Sequence, residues 1–267
     1  MFAFAWLFAS TAQLTAQQPP EYARARDTLR YREITTSQSW IRLPQDSVLV
    51  PALHDATIAV TFPSRDTARA WYEALVLEVR APTGVIRPAT DSALWRPFLL
   101  LFDARGRVST LSAPTFPASF EGVSDLTKEF YEFFPQLPTK PLTRGFTWAD
   151  TVLQADSAAG RYFRSQIVAS HDVVGDTVIS TRRLTIIRSR QTITYEAGGA
   201  VPGQPIRSDS RLSGEASQVA YFDVAGGRFF WKHRSGLLRG ILSYTGGPQP
   251  ISLPQRYSYD NIVELRP

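Results

Sequence analysis

Only one stretch of this chain carries a helical period, and nearly everything on either side of it alternates. From Val123 the larger apolar residues fall at Leu126, Phe130, Tyr131, Phe133 and Phe134. This spacing, near i, i+3, i+4, i+7, gives one apolar face to a helix of roughly three turns. Ser119 or Ser124 suits the N-cap, and Pro135 and Pro138, which have no amide to donate, stop the helix by about Phe134. The helix lies within Glu121 to Asp150, between two long successions of strand-like segments. Such a chain predicts a mainly β fold: a large curved antiparallel sheet or half-barrel with a covering helix.

The strand segments are read from period two. In Thr57 to Phe62, Ile58, Val60 and Phe62 share one face, and Trp71 to Arg80 reads as a nearly central strand. Tyr31 to Leu43 and Ser47 to Phe62 precede it, broken by Pro44 and Pro51. Trp95 to Asp103 and Val108 to Leu111 form a hairpin about a glycine turn. The order Phe-Asp, glycine turn, Arg recurs at Phe102-Asp103 and Phe222-Asp223. That recurrence leaves two organisations open for residues 18–267: one large β domain, or two half-domains meeting near 121–150. After the helix, strands are expected from Gly145, Tyr162, Thr177, Thr192, Arg211 and Leu237, with a turn at His171 to Asp176. Ala197 to Pro205 is the best long-loop candidate, Gly240 marks a bulge or a close contact, and the last strand, around Tyr257 to Leu265, has one wet face.

Phe2 to Ala9 is an apolar run of about eight residues, too short to span a bilayer and of the length of an export-signal core. Residues 1–17 are therefore read as a signal peptide cleaved near Ala16 or Gln17, and the protein as exported, periplasmic or extracellular. The mature chain carries no long apolar stretch that predicts a transmembrane segment. There is no cysteine, which excludes disulfides, a lipid-modified cysteine and thiolate chemistry. Sixteen Phe, ten Tyr and six Trp supply the packing.

The polar residues form no local chemical signature. His54, His171 and His233 have no i,i+2 or i,i+4 spacing, so no metal site is expected. There is no phosphate loop, nucleotide fingerprint or nucleophile elbow, so no cofactor and no catalytic residue is named. From Thr181 onward twelve Lys or Arg face six Asp or Glu. Export argues against nucleic acid as the partner of this basic last third and favours an anionic lipid, glycan or protein.

The strand series from Tyr31 to Leu111, the covering segment Val123 to Phe134, the renewed strands from Gly145 and the meander to Leu265 resemble exported bacterial lipoprotein-carrier and periplasmic lipid-binding proteins. That resemblance implies a curved sheet with an apolar concave face that holds acyl chains without covalent chemistry. The leading expectation is an exported, non-enzymatic protein binding a hydrophobic or acyl-chain ligand or an envelope partner. Leu126, Phe130 and Phe134 would close the apolar volume, and Arg188 and Arg190, two apart on one strand face, would hold an anionic headgroup. Two alternatives stand beside it: a structural or protein-interaction module whose core is filled by its own side chains, and an exported hydrolase. A buried nucleophile within hydrogen-bond reach of a histidine is the mark of the latter.

Overall fold

The computed structural model describes residues 19–22, 27–64, 66–103, 105–117, 120, 123–158, 160–201 and 204–266. The expected signal peptide and Ser119 lie outside the described residues. Among the described residues twelve strands form: β1 (Leu29–Arg42), β2 (Ser47–Thr61), β3 (Thr67–Ala81), β4 (Gly84–Ile86), β5 (Phe98–Phe102), β6 (Val108–Ser112), β7 (Thr147–Ala158), β8 (Arg161–Ile179), β9 (Arg182–Ala200), β10 (Arg207–Asp223), β11 (Arg228–Thr245) and β12 (Ile251–Arg266). They make one antiparallel sheet in the order β6-β5-β3-β2-β1-β12-β11-β10-β9-β8-β7, with β4 beside β3. The amino-terminal strand thus pairs with the carboxy-terminal one, Arg30 opposite Arg266. Both strand successions of the sequence enter a single sheet.

The sheet is not closed by strand pairing, yet it curls until its edges meet. Arg107, just ahead of β6, places Nη2 2.9 Å from Oδ1 of Asp150 in β7. The long β6–β7 connection turns inward and fills the space between. Its seven-residue helix, Leu126–Glu132, is a 3-10 helix and not the expected α-helix of three turns. Its backbone bonds run from i to i−3, as from Lys128 N to Asp125 O and from Phe133 N to Phe130 O. With Pro135 three residues beyond its end, the segment is too short to repay an α-helical nucleus. Asp125, and not Ser124, caps it, accepting from Thr127 N.

A three-residue period has a consequence for what the helix presents. Residues i and i+3 eclipse, so Phe130 lines up with Phe133 and Glu129 with Glu132. The phenylalanines enter the main core. Phe130 is fully buried against Phe98, Phe133 and Tyr72. Phe133 meets Tyr31 and Phe229, and Phe134 meets Phe102 and Tyr22. Tyr22 also touches Phe222, and so joins the two Phe-Asp turns across the interior. Its hydroxyl donates to Pro135 O at 2.7 Å. Behind the helix, Leu137 N donates to Arg105 O and Gln136 Nε2 to Gly106 O. Gly106, at φ +84°, is required there because a Cβ would lie 2.6 Å from the Tyr22 ring and 2.7 Å from Pro135 O.

Several local expectations change. The turn expected at His171 to Asp176 is strand throughout, with a register shift between Val173 and Gly175. The chain instead reverses at Ser180 and Thr181, both at positive φ, which divides the expected Thr177 to Arg188 segment between β8 and β9. β9 continues to Ala200, so the expected long loop loses its first residues to a strand. Gly240 makes a close contact without a bulge, since a Cβ there would lie 1.8 Å from Arg211 O while the register runs on.

Candidate functional site: an inner polar belt and the cup above it

Strand pairing places polar side chains from separate strands in one row around the inner face. His54, Thr35, Asn261, Arg234, Gln218, Ser189 and His171 are successive cross-strand partners from β2 to β8. Leu77 and Trp148 end the row. On one side of this belt lies the filled aromatic core. On the other the inner face stays open, with Ile167, Ile193, Leu212, Ala216 and Leu238 as a second apolar cluster and Tyr195, Tyr257 and Tyr259 packed against it.

The belt is held by hydrogen bonds and by the helix. Asn261 Nδ2 donates to Glu33 Oε1 at 2.5 Å and to Thr35 Oγ1 at 2.7 Å. Arg234 donates to Gln191 Oε1, pairs with Glu132 and lies over the Tyr259 ring. Lys232, buried one row below, donates from Nζ to the carbonyls of Glu132 and Phe133, each at 2.9 Å. It thereby satisfies two carbonyls at the end of the helix, where intrahelical donors run out. Burial pushes its pKa down to about 8, against the pull of Glu33 and Glu129. Burial together with the neighbouring Glu33 carboxyl pushes Glu129 well above the usual carboxylate range.

Between helix and belt opens a cavity of ≈ 310 Å³. Its floor and helix side carry Glu33, Asp125, Lys128, Glu129, Glu132, Lys232, Arg234 and Asn261, and its wall carries Phe163, Ile193, Tyr195, Leu238, Tyr257 and Tyr259. Gly236 shapes that wall: a Cβ would lie 2.6 Å from the Tyr259 ring, so only glycine lets this ring lie across β11. Charge on one side and aromatic surface on the other suit an amphipathic occupant.

The structure separates the residues named from sequence. Leu126 and Phe130 are buried in the core and are not among the residues that line this cavity. Phe134 borders a void of only ≈ 40 Å³ at the level of the belt. Arg188 and Arg190 do share a face, but it is the outer one, because Ile187, Ser189 and Ile193 take the inward positions of β9. They therefore stand across the sheet from Phe130. The residues that surround the cavity were missed because their coincidence arises from cross-strand register, to which local spacing is blind. One signal was available: Glu33 follows Leu29 and Tyr31, and Asn261 precedes Val263 and Leu265, at inward positions of their strands.

Ser189 Oγ lies 2.7 Å from His171 Nδ1, the mark set for a hydrolase. Ser189 is wholly buried in an extended strand, and Trp148 stacks on the imidazole. Burial pushes His171 down to about 4. A nucleophile that no substrate can reach reads as a buried polar pair of the belt, with His171 Nε2 left without a partner.

No family model and no curated protein matches this chain. Among solved structures it is similar to Neisserial surface protein A, at 9% identity over 88% of this chain and 96% of that one, with a TM-score of 0.24. It is likewise similar to OmpT, an outer membrane protein of Vibrio cholerae, at 8% identity over 90% and 97%, with a TM-score of 0.17. Scores this low carry no argument about fold or location. Among the described residues no helix is long and apolar enough to cross a membrane. The outward positions of β9, β10 and β12 carry Arg188, Arg190, Arg211, Glu215, Arg256 and Asp260, and the outer face also carries exposed Val168, Ile241 and Ile262.

Proposed function

We propose that this is an exported, non-enzymatic binding protein whose inner cup takes a compact amphipathic molecule, or the end of an acyl or aromatic chain. One observation carries the reading: the ≈ 310 Å³ cavity that sets aromatic and aliphatic wall against a hydrogen-bonding floor. That volume is near the small end of ligand pockets and matches roughly ten waters, so a long acyl chain would be only partly inserted. The apolar part would lie on Ile193, Leu238 and the tyrosines, and its removal from water would drive binding. The polar part would meet Lys128, Lys232, Asn261 or the carboxyls.

Titration of an environment-sensitive fluorescent fatty acid tests the reading. Tyr195→Ala removes one wall aromatic worth about 1 kcal/mol, so affinity should fall about fivefold. The Arg188→Gln/Arg190→Gln pair, on the outer face, should leave affinity unchanged at low and at high salt. Folded wild type that binds neither this probe nor an aromatic one would sink the reading and favour the interaction module with a filled core. Export is tested separately: amino-terminal sequencing of secreted or periplasmic protein should begin near Gln17 or Gln18, and cytoplasmic protein with an intact Met1 would contradict it.

A further inference from the structure

At the floor of the cup three side chains from three different elements converge. Glu33 on β1 and His54 on β2 are diagonal neighbours on the inner face, since His54 pairs with Thr35. Glu129 descends from the 3-10 helix, its Oε2 3.6 Å from His54 Nδ1. One donor atom from each of the three lies within 4.8 Å of the others. Two polar atoms of the group are buried without a hydrogen-bond partner, Glu33 Oε2 and His54 Nε2, and Glu33 is only 4% exposed. A buried carboxylate oxygen without a donor costs about 1–3 kcal/mol, and what offsets it here is a proton shared with Glu129 or a cation. The other oxygen of Glu33 is oriented by Asn261, as outer-shell donors orient carboxylate ligands.

We propose that Glu33, His54 and Glu129 bind a divalent transition-metal cation of the zinc class. One imidazole and two carboxylates make a hard-to-borderline donor set that suits zinc or manganese better than calcium or copper(I). Ligand atoms in a tetrahedral zinc site stand about 3.4 Å apart, so the three donors need to close by about an ångström, within reach of side-chain rotation on the helix side. Three protein ligands leave a fourth position, and the cup reaches both Glu33 and Glu129, so that position faces the cavity. Lys232 stands beside the group, its ammonium held on the helix carbonyls, and offsets part of the carboxylate charge that would meet the cation. The cation would also tie the helix to β1 and β2. This proposal is independent of the amphipathic ligand, since metal is measured without one.

The test uses untagged, chelator-stripped protein and zinc alone in calorimetry, with cobalt(II) absorption as a second reading. The expected result is one zinc per chain and d–d bands that saturate at one equivalent of cobalt. Glu129→Gln keeps the side-chain shape and should weaken zinc at least about tenfold, and zinc should raise the melting temperature of wild type but not of this variant. Wild type with no saturable site at about 100 µM zinc would overturn the assignment. So would unchanged 1:1 binding in Glu129→Gln and Glu33→Gln. Should Glu33→Gln fail to fold by circular dichroism, the wild-type stoichiometry and Glu129→Gln decide alone.

Discussion

Phe130→Ala separates the filled core from the open cup. Phe130 is fully buried, with ring centroids 4.9 Å from Phe98, 5.7 Å from Phe133 and 6.5 Å from Tyr72. A buried phenylalanine removes about 150–250 Å² from water, worth about 4–6 kcal/mol at 25 cal/mol per Å² before alanine's own share is subtracted. The void left behind adds to the cost, because Phe98 and Tyr72 are themselves fully buried on strands and cannot collapse into it. The expected loss is about 3–5 kcal/mol. Urea unfolding followed by tryptophan fluorescence should show a lower midpoint at unchanged slope. Because Phe130 does not border the cup, the fraction that stays folded should bind the fatty-acid probe within about twofold of wild type. A loss below about 1 kcal/mol would mean that the helix does not plug the sheet. Loss of probe binding at intact fold would mean that Phe130 lines the ligand volume after all.

The seam and the belt make two further predictions. Arg107→Ala should cost about 1–3 kcal/mol and speed amide exchange in β6 and β7, because it leaves buried Asp150 facing the gap with its bond from Thr151 N and an unpartnered Oδ2; unchanged exchange would show that this pair does not hold the edges together. His171 carries a folded pKa of about 4 against an unfolded value near 6.5, so between these values the unfolded chain alone binds the proton. Stability should therefore be lost as pH falls from about 6.5 to about 4, by up to about 3 kcal/mol, and His171→Gln should flatten that slope in part. His54, also lowered by burial, adds to the slope in the same direction, and the raised Glu129 opposes it. A variant slope equal to wild type would refute the assignment.

The strands were legible because the inner face is apolar over long runs: Ile58 and Val60, or Val263 and Leu265, declare their face by alternation alone. The turn at Ser180-Thr181 was not, since neither residue is a glycine and both take positive φ. The helix was visible as a period, but its type was not: Leu126, Phe130 and Phe133 fit 3.6 residues per turn, whereas in the 3-10 helix only Phe130 and Phe133 align. That difference matters for function, because the tighter winding aligns Glu129 with Glu132 toward the belt. The site itself is a product of register. Thr35 meets His54 on one side and Asn261 on the other only because β1 pairs with both β2 and β12, and Asn261 lies 226 positions from Thr35. No window of sequence contains that neighbourhood. Arg188 and Arg190 were correctly paired with each other by alternation, but alternation does not say which face is the inner one.

Native mass spectrometry of protein purified from its own host tests the binding account most directly. The account predicts a population heavier than the bare chain by a single amphipathic molecule, released by activation and displaced by the fatty-acid probe, and depleted in Tyr195→Ala. A chain that flies only at its bare or metal-bound mass, and that takes up no probe while folded, would contradict it.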